Sequence, residues 1–139
     1  AAADPSCKNL RNLRMRTEKK KEAGANFLQT QMIMDKKYLI EFCREISRPL
    51  DLPVLAGVFL LKSYKNALFI NKYVPGANIP DNILIRLKES ENPLQEGINI
   101  ASEQIKDYIE IAEGVHIMAV KSEHLIPEIL KEADINLEY

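Results

Sequence analysis

The chain has 139 residues, of which 46% are hydrophobic and 28% charged, and its formal net charge is −1. This size and composition fit one globular domain, and the near-neutral charge provides no global field for nucleic acid or an acidic partner. No apolar run approaches the roughly 20 residues that span a membrane, the N-terminus lacks the apolar core of a secretory signal, and two cysteines imply no disulfide framework. We therefore expect a cytoplasmic protein with no membrane or nucleic-acid partner.

The hydrophobic pattern of the first third predicts helix, strand and helix in succession. A basic helix over 8–23 ends at Gly24, which suits the left-handed position after a helix. A short strand follows over 27–31. Asp35 then caps a helix over about 36–47.

The rest of the chain continues this alternation. A strand over Val54–Phe59 lies in a continuous apolar run, as parallel strands buried on both faces do, and Gly57 inside it predicts the close approach of another group. Alternating strands and helices imply right-handed crossovers and a parallel sheet. Three strands would leave two open edges, and residues 1–3 could end a further strand, so we expect the C-terminal part of a larger (β/α)₈ (TIM) barrel. The other predicted elements are helices over about 64–72, 80–89, 94–113 and 127–133 and a strand over 115–120. The helix over 94–113 is expected to bury one stripe, formed by Leu94, Ile98, Ala101, Ile105, Ile109 and Ala112.

Two glutamines interrupt the first predicted strand. Gln29 and Gln31 lie on one face because side chains alternate along a strand, and buried amides need partners. At the carboxyl end of a parallel strand that partner is often a ligand. We therefore weigh two roles for Gln31: a bidentate amide that grips the edge of a heterocycle, or a strand-end glutamine bonded to neighbouring backbone.

The helix over 8–23 carries an excess of cations, most of which are best explained as a solvated face. Arg16, Lys19 and Lys20 share a face at spacings of three and four residues. Several donors on one face suit the phosphates of a ligand such as a pyrophosphate. A nucleic-acid role has the charge but lacks interleaved aromatic residues.

The sequence offers no obvious catalytic or metal-binding group. His116 and His124 are eight residues apart, with no cysteine or acidic residue at convincing metal-ligand spacing. We expect His116 to be a core histidine bonded to backbone, Cys7 a surface thiol and Cys43 a core thiol. No nucleophilic triad, phosphate-binding glycine loop or carboxylate pair stands out.

Several segments, in order, resemble those of methylenetetrahydrofolate reductases. The resemblance covers nearly the whole chain and is closest to the branch found in anaerobes and archaea, which shares an Ala3-Asp4-Pro5 motif. The segments are Lys19-Lys20-Lys21-Glu22-Ala23-Gly24-Ala25-Asn26-Phe27-Leu28-Gln29-Thr30-Gln31 with Asp35, Leu55-Ala56-Gly57-Val58 leading to Lys62-Ser63-Tyr64-Lys65-Asn66-Ala67, Val74-Pro75-Gly76 with Ile79-Pro80, Glu96-Gly97-Ile98, and Gly114-Val115-His116-Ile117-Met118-Ala119.

This resemblance implies a TIM barrel that binds FAD at the carboxyl ends of its strands. It assigns 27–31 to strand six, Val54–Phe59 to strand seven and 115–120 to strand eight, with residues 1–3 ending strand five. Residues 1–139 would then be a single partial domain without strands one to four. We expect either a fragment of a longer enzyme or a chain whose barrel is completed by another copy or a partner chain.

The resemblance also implies the chemistry. NADH, NADPH or another donor would reduce FAD, and hydride would pass to 5,10-methylenetetrahydrofolate to give 5-methyltetrahydrofolate. Gln31 matches a residue that binds the folate pterin, Asn66 a substrate-contacting glutamine, and Arg16, Lys19 and Lys20 positions that contact FAD. The catalytic acid of the family lies on an earlier strand, so we expect this chain to be inactive alone. The alternative is a non-catalytic half-barrel that pairs with a partner through its open edges.

Overall fold

The computed structural model describes residues 1–136, which form a parallel sheet covered by helices. The strands are β1 (Ala2–Ala3), β2 (Leu28–Met32), β3 (Val54–Phe59) and β4 (Gly114–Met118). The helices are α1 (Leu10–Glu22), α2 (Lys36–Phe42), α3 (Tyr64–Tyr73), α4 (Asp81–Glu89), α5 (Pro93–Tyr108) and α6 (Ile126–Glu132). A π-helical turn over Cys43–Ser47 extends α2, and a 3₁₀ turn over Glu123–Leu125 leads into α6.

The sheet of the described residues has the order β1-β2-β3-β4, and every neighbouring pair is parallel. This confirms the predicted α/β class with a parallel sheet. The expected further strand at the N-terminus is β1, whose Ala2 and Ala3 pair with Gln29 and Thr30. The numbering of these strands within a complete barrel stays a prediction.

The two faces of the sheet differ in how they are covered. Buried side chains of β2 and β3, among them Leu28, Val54 and Val58, pack with residues of α1, α2, α5 and α6 in the main core. A second core lies under α3 and α4. The opposite face of the sheet is open: Gln29 is exposed, and Leu55 and His116 are only half-buried. The inward-facing residues of a barrel would lie on an open face of this kind.

Side-chain caps fix where several helices begin. The Asn9 side chain accepts a hydrogen bond from the Asn12 N–H at 3.0 Å, and Asp35 accepts from Lys37 N–H at 3.0 Å. Such caps satisfy N–H groups that have no partner within the helix. The Asp35 cap was predicted from the sequence, and it starts α2 at the expected residue.

The long helix predicted over 94–113 is shorter than expected. Helix α5 ends at Tyr108, and turns lead from there to β4. Two residues of the predicted buried stripe are on the surface: Leu94, in the first turn of α5, is 38% exposed, and Ile109, just beyond its end, is 47% exposed. The chain must reverse direction before β4, and the Tyr108 carbonyl accepts from the N–H groups of Ile111 and Ala112 in that reversal. No helix within residues 1–136 is both long and apolar enough to cross a membrane.

Candidate functional site at the carboxyl end of the sheet

Strand β2 contains a β-bulge near its carboxyl end. Gln29 pairs with Leu55 and Met32 with Gly57, so two residues of β2 stand opposite one residue of β3. A bulge bends its strand and turns the side chains beside it, and bulges are frequent next to functional sites. The extra residue changes the direction of Gln31, the glutamine singled out in the sequence.

Side-chain hydrogen bonds replace the strand pairing that the bulge interrupts. The Thr30 hydroxyl oxygen accepts from the Gly57 N–H at 2.9 Å, and His116 Nε2 lies 2.8 Å from the Thr30 carbonyl oxygen. A carbonyl can only accept, so His116 carries a proton on Nε2. This confirms that His116 is bonded to backbone, although it is half-buried rather than fully within the core.

Gly57 is required by the close approach of β2. A Cβ at this position would lie 2.8 Å from the Gln31 carbonyl oxygen and 2.9 Å from that of Thr30. Both distances are shorter than ordinary carbon–oxygen contacts of about 3.3 Å. The close approach of another group predicted at Gly57 is therefore confirmed, and the group is the backbone of the bulge.

A cavity of about 530 Å³ opens where β1 and β2 end, and we call it the mouth cavity. It lies between the start of the chain, helix α1 and the loop after α3. It brings together three of the five predicted site residues, Arg16, Lys20 and Gln31. The lining residues are Ala2, Ala3, Asp4, Leu13, Arg16, Lys20, Gln29, Thr30, Gln31, Pro75, Gly76 and His116.

The Gln31 amide is held by backbone at the wall of the mouth cavity. Its Nε2 donates to the Pro75 carbonyl oxygen at 3.1 Å, and its Oε1 accepts from the Met32 N–H at 2.9 Å. These contacts are those of the second role weighed for Gln31, a strand-end glutamine bonded to backbone. They also hold the amide in one orientation, with a donor and an acceptor already positioned at the cavity.

The predicted cationic face divides between two cavities. Arg16 and Lys20 line the mouth cavity, and the Lys20 ammonium group donates to the Ala2 carbonyl oxygen. Lys19 instead lines a neighbouring cavity of about 300 Å³, to which Arg16 also contributes. Residues four apart on a helix lie within about 40° of each other, whereas adjacent residues lie about 100° apart. Lys19 therefore points away from Lys20.

Asn66 lies apart from the other predicted site residues. Its side-chain oxygen accepts from the Lys62 N–H at 3.2 Å, and its own N–H donates to the Ser63 hydroxyl at 3.0 Å. These bonds organise the first turn of α3. Asn66 is not among the residues that line the mouth cavity.

The structure adds residues that the sequence analysis did not place at the site. Asp4 lines the mouth cavity directly after β1, and its Oδ1 accepts from the N–H and hydroxyl of Ser6 at 3.0 and 2.6 Å. An acidic residue immediately after a strand could have indicated this position. Thr30 and His116 gave no such signal, because their meeting depends on strand register. Residues 1–136 contain no group of three or more histidine, cysteine or acidic side chains placed to hold a metal ion.

The mouth cavity has the donor set of a site for an anionic ligand with a heterocycle. A guanidinium and an ammonium group line it from α1, and an amide and a carboxylate lie at the ends of β2 and β1. Cations of this kind bind phosphates, and a fixed amide offers a donor and an acceptor to one ring edge. The cavity is open on one side, so a larger ligand can extend beyond it.

The fold is similar to that of a solved structure from Clostridium thermocellum. That protein is described as an uncharacterized protein that binds two copies of 5-methyl-5,6,7,8-tetrahydrofolic acid. The TM-score is 0.69 at 18% sequence identity, and the match covers 96% of this chain and 51% of that one. The chain thus spans about half the length of its structural neighbour. No curated protein matches the chain.

The sequence itself matches one protein family. The family described as methylenetetrahydrofolate reductase matches residues 2–134, which is nearly the whole chain. The resemblance drawn from the sequence motifs is confirmed by this match. The chain belongs to the methylenetetrahydrofolate reductase family.

Proposed function

We propose that this chain forms part of a flavin-dependent reductase that converts 5,10-methylenetetrahydrofolate to 5-methyltetrahydrofolate. The observation that carries the proposal is the mouth cavity, which joins an oriented amide to two cations at the carboxyl end of a parallel sheet. The chain's membership of the methylenetetrahydrofolate reductase family supports the same reaction. Carboxyl ends of strands are where TIM-barrel enzymes place their active sites.

Gln31 is the proposed folate contact. Its amide offers one donor and one acceptor, as a pterin ring edge requires, and its bonds to Pro75 and Met32 hold that amide at the cavity wall. A pterin that replaces the Pro75 carbonyl exchanges one hydrogen bond for another, so the net cost of release is small. The folate ligand of the Clostridium thermocellum structure supports this ligand class. Asn66 is a second proposed contact, which would first have to leave the Lys62 N–H.

Arg16, Lys19 and Lys20 are the proposed FAD contacts. The positions of Arg16 and Lys20 on the cavity wall fit the phosphates of such a cofactor, and Lys19 borders the adjoining cavity that Arg16 shares. When bound, FAD supplies the hydride chemistry, and NADH, NADPH or another donor supplies the electrons. The residues of this chain bind and orient the two ligands.

We further propose that residues 1–139 are the C-terminal part of the barrel, with β2, β3 and β4 as strands six, seven and eight. The match to 51% of the structural neighbour supports a partial barrel. The outer strands β1 and β4 each have one unpaired edge within the described sheet. Another part of the same polypeptide, a second copy or a partner chain would pair with them, and the assembly would act in the cytoplasm.

The test is calorimetric titration of the complete native protein with 5-methyltetrahydrofolate. We expect binding by the wild type and a loss of about tenfold in Gln31→Ala, the equivalent of one well-placed hydrogen bond or slightly more. Gln29→Ala is the matched control, because it removes the same amide group from the same strand, at a position before the bulge that redirects Gln31. A wild type that does not bind folate would refute the proposal, and a larger loss in Gln29→Ala would refute the role of Gln31.

A further inference from the structure

Three strands are tied together at the bulge by side chains rather than by strand pairing alone. Thr30 on β2 accepts from the Gly57 N–H on β3, and His116 on β4 reaches the Thr30 carbonyl oxygen at 2.8 Å. The Gly57 carbonyl in turn accepts from the Ile33 N–H at 3.0 Å. These three hydrogen bonds connect β2, β3 and β4 around the bulge, and we call them the bulge lock.

The reach of His116 depends on the absence of a side chain on β3. His116 and Gly57 are register partners, so the imidazole must cross β3 at Gly57 to touch β2. The Thr30 carbonyl oxygen lies 2.9 Å from the position that a Cβ on Gly57 would occupy, and Thr30 is 3% exposed. A buried carbonyl needs a donor, and His116 Nε2 provides it.

The contact bears directly on the orientation of Gln31. The Thr30 carbonyl and the Gln31 N–H belong to one planar peptide group. A hydrogen bond that holds the carbonyl oxygen therefore also fixes the orientation of the Gln31 backbone, and with it the direction of the Gln31 side chain. Rotation of that plane would carry the Gln31 side chain away from Pro75 and from the mouth cavity. His116 itself lines the same cavity.

We propose that His116 is a positioning residue, which aims Gln31 at the folate by holding the Thr30 carbonyl across Gly57. The proposal rests on the proposed function, because it takes Gln31 as the folate contact. His116 acts through the backbone of β2, and its effect on folate therefore depends on Gln31. Arg16 and Lys20 lie on α1, and their side chains bond to Cys7 and to the Ala2 carbonyl rather than to the bulge lock, so we expect the FAD contacts to be unaffected by loss of the His116 bond.

The first experiment measures the affinity of the complete native protein for 5-methyltetrahydrofolate by calorimetry. His116→Phe keeps an aromatic ring and removes the donor, and we expect affinity to fall about tenfold. His116→Gln keeps an N–H donor and should restore most of it. In a Gln31→Ala background, His116→Phe should cause no further loss, and FAD affinity should be unchanged in all variants.

Two results of this experiment would overturn the positioning role. One is unchanged folate affinity in His116→Phe. The other is a loss of folate affinity on His116→Phe that is equally large in the wild type and in the Gln31→Ala background, since His116 would then act independently of Gln31. A residue that only stabilises the fold would not give a loss that vanishes with Gln31.

A second experiment tests the lock without any ligand. Amide hydrogen exchange of Gly57 and Ile33, followed by NMR, should be faster in His116→Phe and return to the wild-type rate in His116→Gln. Unchanged exchange in His116→Phe would show that His116 does not hold the bulge. If the wild type binds no folate, the proposed function fails, and exchange still decides whether the lock exists.

Discussion

Gly97→Ala tests how α5 packs against the sheet, because helix propensity predicts a gain in folding stability and steric overlap predicts a loss. In an exposed helix, replacing glycine with alanine stabilises by about 1 kcal/mol. In this structure a Cβ at Gly97 would lie 1.7 Å from the Leu61 carbonyl oxygen. Carbon and carbonyl oxygen ordinarily stay about 3.3 Å apart, so α5 and the segment that follows β3 would have to separate by roughly 1.6 Å.

The clash should outweigh the helix propensity. Leu61 is 1% exposed, and the obstructing atom is backbone, which cannot turn aside as a flexible side chain can. Separation would also loosen Ile98, Ala101 and Ile105, which are 2%, 0% and 0% exposed in the main core. Overpacking costs about 1–3 kcal/mol and here should reach the upper end, so we expect a net destabilisation of about 2 kcal/mol.

Urea denaturation followed by circular dichroism measures this difference. The midpoint should fall without a change in the slope of unfolding free energy against urea concentration. Gly24→Ala is the control: it adds the same methyl group where nothing lies within 4 Å, at a φ of +101°. Gly24→Ala should lower the free energy of unfolding by about 1 kcal/mol, from backbone strain alone. A Gly97→Ala protein as stable as the wild type, or more stable, would refute the packing of α5 on Leu61.

Other residues give three further predictions. Thr30→Val leaves the Gly57 N–H without its acceptor and should destabilise by about 1–3 kcal/mol in urea denaturation; an unchanged midpoint would count against the bulge. The Tyr108 hydroxyl donates to the Ile33 carbonyl at 2.6 Å, and burial raises the pKa of Tyr108 in the folded state above its ordinary value of about 10. The neutral hydroxyl therefore stabilises the fold below about pH 10, and this contribution is lost as the pH rises above about 10. Tyr108→Phe should therefore lower stability at neutral pH and flatten its decline above about pH 10 in a denaturation series, whereas an equally steep decline would contradict this assignment. Lys20→Gln should weaken FAD binding about tenfold in a fluorescence titration. Lys21→Gln is the control, because Lys21 contacts the Leu50 carbonyl away from the cavity, and equal effects of the two substitutions would refute the role of Lys20.

The order of the elements could be predicted because their signals are local. Continuous apolar character indicates β3, and the Asp35 cap marks the start of α2. Helix ends were less accurate, since α5 stops at Tyr108 where the chain must turn back toward β4. Gly57 was predicted to face a close neighbour, but the identity of that neighbour depends on the register of β2.

The candidate site was predicted in part, for reasons of geometry. Arg16 and Lys20 reach the mouth cavity together because residues four apart lie on one side of a helix, whereas the direction of Gln31 also depends on the bulge in β2, which the sequence did not predict. Asn66 was selected by resemblance along the chain, which does not reveal that its side chain accepts from the Lys62 N–H. The contact between His116 and Thr30 spans 86 residues, and only the folded sheet brings the two together.

The most direct test of the proposed reductase follows a single turnover, independently of the natural electron donor. The complete native protein is loaded with FAD, the flavin is reduced chemically without oxygen, and 5,10-methylenetetrahydrofolate is added. We predict that the visible absorbance of oxidised flavin returns as an equal amount of 5-methyltetrahydrofolate forms, and that both are slower in Gln31→Ala. Flavin that stays reduced in the wild type, with no methyltetrahydrofolate formed, would contradict the proposed function.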